Sequence, residues 1–220
     1  MPNNNSMIKI IMLSIIALVI LAVIGIFFIE PMVIKKELPK PIVIQTQDQP
    51  VLGNPTAKVH IVAFEDLKCS NCARFDVQLM PIIKKQFIDT GVANYTLINL
   101  AFISGSMPAA NAARCVYKQN SVLFFDYTNY IFHHQPPENQ NWATIPTLMN
   151  YASQIKGINT DQLAQCLVMS PYDEFIHNNL VLAMKTMKDG IVATPTLYIN
   201  GILVNPLTQS QIDKVIKAVK

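Results

Sequence analysis

Residues 64–75 read F-E-D-L-K-C-S-N-C-A-R-F, with Cys69 and Cys72 in a C-x-x-C arrangement. The run just before them, Lys58 to Phe64 (KVHIVAF), is short, apolar and β-branched. Such a run predicts a buried strand. From the first cysteine a helix is expected to about Asp89, bent at Pro81 and closed by Gly91. The dithiol therefore falls where a strand feeds a helix. Unpaired backbone N–H groups at a helix start stabilise a thiolate on the first cysteine. Cys69 is then the sulfur that attacks or leaves, and Cys72 resolves the mixed disulfide.

Two other uses of the pair remain. A zinc clip wants four ligands, and no second C-x-x-C or H-x-H is present; His133-His134 sits at an expected helix end. A purely structural disulfide is the other, although a helix start is a strained place for one. Cys115 and Cys166 fall on separate expected helices. They read either as two buried thiols or as a structural disulfide. In an oxidising compartment the disulfide is the expectation.

Around the dithiol, Ala93 to Phe102 (ANYTLINLAF) reads as a second strand. Helical spacing then dominates from about 105 to 190. It includes the alanine-rich 109–118, the aromatic 122–132, a helix ending near Met169 and another opening at Pro171. Thr196–Ile199 and Ile202–Val204 are short strands around Asn200-Gly201, a strong hairpin signal. Gln209 to Val219 closes the chain as an amphipathic helix with Ile212, Val215, Ile216 and Val219 on one face. The order strand, helix, strand, helical block, hairpin, helix is that of an α/β domain with a helical insertion.

The chain has 220 residues, a formal charge of +3 and 51% apolar residues. Its 17 basic residues are scattered, which excludes a nucleic-acid patch. Much of the apolar excess lies in Ile10–Ile29, 20 residues without a charge. That length matches the bilayer hydrocarbon and predicts a transmembrane anchor; a signal sequence is the alternative, with Val23-Ile24-Gly25 a poor cleavage site. No cysteine follows the run, which argues against a lipoprotein. The expected organisation is a short tail 1–9, the anchor 10–29, a proline-rich tether 30–53 and a domain 54–220. Flanking lysines (Lys9 against Lys35, Lys36 and Lys40) would put the domain inside. The cysteine usage places it outside the cytoplasm, and weighs more.

Taken together, VAFEDLKCSNCARF, LMPIIKKQFIDTGVANYTLINLAF, AANAARCVYKQ, QLAQCL and GIVATPTLYINGILV, in that order, resemble the DsbA-like thiol–disulfide oxidoreductases of the thioredoxin superfamily. The match runs from about Pro50 to Lys220. The resemblance implies a thioredoxin fold with an all-helical subdomain inserted before Thr194-Pro195. Pro195 would be a cis-proline and Thr194 would face the dithiol, presenting backbone to an extended substrate. It further implies a protein disulfide oxidoreductase, needing no cofactor or metal, that introduces disulfides into unfolded cysteine-containing proteins. A membrane redox partner would reoxidise it. A monomer at the cytoplasmic membrane, facing the periplasmic or extracytoplasmic side, is expected. An isomerase or reductase, or a chaperone-like module without turnover, is the alternative.

The departures matter. Ser70 and Asn71 stand where family members often carry proline with histidine or tyrosine. Asn71 offers only a neutral amide, so the Cys69 pKa should be depressed, but less than in the strongest oxidants. Ala63 stands where relatives keep a buried carboxylate, and Glu65 and Asp66 are expected to be solvated loop acids. Met80, Met107, Met149, Met169, Met184 and Met187 should fill core gaps or line the site's rim. Trp142 should pack between helices. Phe64 and Phe75 either flank the dithiol or serve the core.

Overall fold

The computed structural model describes residues 4–28 and 37–220, with side chains over 7–21 and 37–220. It divides into two units, Met1–Leu38 and Pro39–Lys220. The first contains helix α1 (Asn4–Phe28). Among the described residues no helix is long and apolar enough to cross a membrane. Part of the expected span 10–29, and of the tether 30–53, lies outside them.

The second unit is built on a five-stranded sheet in the order β1-β3-β2-β4-β5. The strands are β1 (Val51–Gly53), β2 (Val59–Asp66), β3 (Ala93–Leu100), β4 (Thr196–Ile199) and β5 (Ile202–Leu203). β2 and β3 run parallel, in register from Val59 opposite Ala93 to Asp66 opposite Leu100. All eight residues of β3 and all but His60 of β2 are buried. Strands covered on both faces read as continuous apolar runs, as these do. β4 returns antiparallel on the other side of β2 and continues into β5. Between those two strands Asn200 (φ 47) and Gly201 (φ 78) both take the left-handed conformation that a primed hairpin turn demands.

Between β2 and β3 the chain forms α2 (Ser70–Gln78), a short α3 (Met80–Ile83) and a π-helical turn Lys84–Ile88. The break falls at Leu79, because Pro81 has no N–H to continue the ladder. The insertion comprises α4 (Met107–Gln119), α5 (Ser121–His134), α6 (Ile145–Ser153), α7 (Thr160–Met169) and α8 (Asp173–Thr186). α6 was missing from the sequence reading; its Thr144 cap and Pro146 at the start were the available signals. α8 lays Ala183, and Met187 just after its end, on a core formed by Val62, Phe64, Ile98, Leu100 and Tyr198. α9 (Gln209–Val219) buries Ile212, Val215 and Ile216. Each such side chain contributes about 1.5–3 kcal/mol when fully buried.

Two expectations change, and one left open is settled. The domain begins earlier than residue 54, since residues 39–53 pack on it rather than forming a tether. Ile42 N–H bonds the Gly201 carbonyl at 3.0 Å, and a Cβ on Gly201 would meet the Ile42 oxygen at 2.0 Å. Gln49 is buried and donates to Asn179, and β1 pairs antiparallel with β3. Phe64 and Phe75 are core residues, 0% and 3% exposed. Met169 and Met184 are exposed on the surface, while Met80 and Met187 are buried. Trp142 is buried beside Tyr151.

Candidate active site

The strand β2 ends at Asp66, and the chain turns tightly into α2, with Cys69 N–H bonding the Asp66 carbonyl at 2.9 Å. Asp66 makes this turn rigid. Its carboxylate accepts from the backbone N–H of Lys68 at 2.8 Å, of Phe102 and Ile103 at 3.0 Å, and from the Ser106 hydroxyl at 2.9 Å. It is fully buried, and burial outweighs those four bonds, so its pKa lies above the ordinary carboxylate value. Asp66 therefore pins the start of α2 to the segment after β3. The expectation of a solvated acid is corrected: β2 runs two residues further than its apolar stretch and carries both acids into the protein.

Cys69 occupies the N-cap position of α2, in extended conformation. Both thiols are free. The Cys69 pKa is lowered to about 6, first by a hydrogen bond from the Cys72 thiol. Partial burial opposes this; Thr194 and the backbone N–H groups of Cys72 and Asn71 add to it. Cys69 Sγ lies 3.5 Å from the Thr194 carbonyl oxygen. The side chain of Asn71 plays no part there, because its amide oxygen accepts from Arg74 at 3.1 Å. Its backbone N–H, which any residue would supply, faces the sulfur instead. Cys72 behaves oppositely. Burial, the bond to Cys69 and the nearby Glu65 push its pKa well above the ordinary thiol value.

Glu65 sits behind the dithiol, 1% exposed, and accepts a short hydrogen bond from the Tyr95 hydroxyl. Its second oxygen, Oε2, has no hydrogen-bond partner. Burial raises its pKa to about 8, against the Tyr95 bond, with smaller contributions from Asp76 and Cys69. It is therefore protonated at neutral pH. Asp76, one turn beyond Cys72 on α2, is also raised, to about 6, by burial. It accepts from Asn129 at 2.8 Å and lies 3.6 Å from the His133 ring, both on α5. Asp76 and Tyr95 line one cavity of about 400 Å³. Sequence reasoning missed Tyr95 and Asp76; the signal was a polar residue at an inward position of β3 and of α2.

Thr194-Pro195 forms a cis peptide just before β4. A groove of about 200 Å³ runs between Asn71, Arg74, Phe75 and Leu79 of the first helices and Pro195 and Leu207. Away from this site, Cys115 on α4 and Cys166 on α7 are joined by a disulfide, with Cα atoms 6.1 Å apart. Among the described residues no cluster of His, Cys, Asp or Glu is arranged to hold a metal ion.

The arrangement can exchange disulfides: an acidic thiol at the helix start, 5% exposed, a fully buried partner thiol and a protonated acid behind it. The family description "Thioredoxin" matches residues 45–218. The chain is 34% identical over 153 residues to disulfide bond formation protein D of Bacillus subtilis, covering 69% of this chain and 68% of that protein. Among solved structures it resembles DsbA of Chlamydia trachomatis at 32% identity and a TM-score of 0.74, covering 82% of this chain and 96% of that one. Oxidised BdbD of Bacillus subtilis is similar at 30% identity and a TM-score of 0.73, covering 82% and 98%. With the fold and the dithiol in the same frame, this chain belongs to the thioredoxin superfamily as a DsbA-like thiol–disulfide oxidoreductase.

Proposed function

We propose that this protein introduces disulfide bonds into cysteine-containing proteins outside the cytoplasm, using Cys69 and Cys72. The observation that carries this reading is the divergence of the two thiols, one lowered to about 6 and the other raised. A dithiol whose reduced form is stabilised as a thiolate is a strong acceptor of electrons.

The steps balance as follows. A substrate thiolate attacks Cys69 Sγ of the disulfide, and the Cys69–Cys72 bond breaks. Cys72 leaves with the electron pair and takes a proton from Glu65, which is protonated at neutral pH and has a free Oε2. The second substrate thiolate attacks the substrate sulfur of the mixed disulfide, and Cys69 leaves as a thiolate. Two electrons have passed from substrate to enzyme. A membrane partner would then accept both electrons, with the Cys72 proton passing back to Glu65. During the exchange, the groove beside Pro195 and the backbone of Thr194 would receive the substrate backbone.

The same reading takes the uncharged run Ile10–Ile29 as a membrane anchor for a monomer whose catalytic domain lies on the extracytoplasmic side. It is supported by the length of that run in the sequence, 20 residues without a charge, about what a bilayer-spanning helix needs. Retention in the membrane fraction after alkaline extraction tests the anchor. Equilibration of the full chain with glutathione buffers tests the activity. A reduction potential toward about −120 mV supports an oxidant. A potential near about −270 mV would make it a reductase.

A further inference from the structure

The loop between α5 and α6 reaches across to the start of α2. Gln135 Nε2 donates to the Cys69 carbonyl at 3.3 Å. Three residues on, Glu138 Oε2 accepts from the Ser70 backbone N–H at 2.9 Å and from the Ser70 hydroxyl at 3.0 Å. Ser70 is the first residue of the helix, and its N–H is one of the donors that a helix start leaves without an intrahelical partner. The insertion thus places a full negative charge at the positive end of the helix that carries Cys69.

We propose that Glu138, held by Ser70, is a positioning residue that restrains the oxidising strength of the Cys69–Cys72 pair. Reducing the disulfide adds two electrons and leaves an anion at Cys69, with the proton retained at Cys72. In the oxidised state Cys69 carries no charge. A carboxylate beside it therefore disfavours only the reduced form, and the disulfide accepts electrons less readily. Glu138 also occupies a helix-start donor and offsets part of the dipole that would stabilise the thiolate.

Lys68 helps hold Glu138 ionised, and its ammonium donates to the Ser104 carbonyl at 2.8 Å; it offsets part of the carboxylate's charge without removing it. Glu65, which lies close enough to the dithiol to be raised by Cys69, is protonated at neutral pH and carries no charge there. Asp76 acts on Glu65 rather than on Cys69. Glu138 is therefore the ionised group that the loop adds to the thiolate's surroundings. Its hydrogen bonds also cap α2, but a cap stabilises both redox states alike and drops out of the potential.

Two variants separate charge from capping. Glu138→Gln keeps an acceptor and removes the charge. Ser70→Pro removes both donors. Proline suits the first helical position, and Cys69 already holds the extended conformation required before one (φ −71, ψ 119). The full chain is studied in detergent micelles, reading the Cys69 thiolate by ultraviolet absorbance and the potential against glutathione. In both variants the acid constant of Cys69 should rise roughly threefold. The potential should become less negative by about 15 mV, that threefold change for a two-electron couple. About 1 M salt should largely abolish the difference from wild type, since the screening length falls to about 3 Å.

A lowered melting temperature with an unchanged acid constant and potential in both variants would make Glu138 a cap alone and overturn the proposal. A rise in the Cys69 pKa in either variant would overturn it as well. The inference rests on the dithiol being redox-active, yet its test is independent of direction. A wild-type potential near thioredoxin's would defeat the oxidase reading while leaving the difference between wild type and variants to be judged on its own.

Discussion

The two cysteine pairs of this protein have the same atoms and opposite surroundings. Cys69 and Cys72 are one helical turn apart, free, and set against backbone N–H groups, Thr194 and Glu65. Cys115 and Cys166 are 51 residues apart, bonded, and lie between helices α4 and α7. Closing a short turn removes little entropy from the unfolded chain, so little holds the first pair oxidised. Its reduced form gains a stabilised thiolate. Closing a 51-residue loop removes much more. Sequence separation and local electrostatics together make one pair exchangeable and the other durable.

The sharpest way to break this contrast is to exchange the roles by mutation. Cys69→Ser should abolish disulfide introduction, by roughly 10³-fold or more, because Cys72 alone is fully buried, has a raised pKa and has no partner with which to form the disulfide. Cys72→Ser should keep the attacking sulfur and accumulate mixed disulfides, visible as heavier species on non-reducing gels. Replacing both Cys115 and Cys166 with Ala should leave the rate within about twofold, since neither touches the site. A loss of turnover in that double variant would tie the second pair to the electron path.

The double variant should differ in stability instead. The chain-entropy relation gives about 4 kcal/mol for a loop of 51 residues. Thermal melts of the oxidised protein should fall by about 10 °C. A shift below about 2 °C would mean that the unfolded chain is already compact around these helices.

Much of this was legible in the sequence. The strand before C-S-N-C, the Asn200-Gly201 turn and the helical block depend on local pattern, and each is where the pattern placed it. What escaped depends on partners far along the chain. Glu65 and Asp66 look like loop acids until β3 is laid beside β2, because only the eight-residue register carries them indoors. Residues 39–53 look like a tether because a three-residue edge strand and a single bond to Gly201 leave no periodic trace. Asp76 and Glu138 were invisible for the same reason: α5 and the loop after it bring them their partners from 53 and 68 residues away. Ala63 holds the strand position where the resemblance implies a buried carboxylate, and a buried acid of this chain, Glu65, is two residues further on.

Glu65→Gln sharpens the contrast most finely, because it alters the first pair's surroundings without touching sulfur. Glutamine cannot hand a proton to Cys72, so attack by a substrate thiolate should slow by roughly tenfold at neutral pH, the low end for a lost general acid. The slowing should shrink above pH 8, where Glu65 itself is ionised in the wild type. Stability should move with pH in a related way. The carboxyl of Glu65 titrates at about 8 when folded and near 4.5 when unfolded, so the folded state holds an extra proton between those values. Its contribution is full below pH 4.5 and is lost as pH rises toward 8, at up to about 1.4 kcal/mol per unit. The Gln variant should lack that slope, and denaturant melts of the oxidised protein at pH 5 and pH 8 measure it directly. Equal slopes in wild type and variant would place the proton elsewhere, and Tyr95 with Asp76 across the shared cavity would then be the groups to examine.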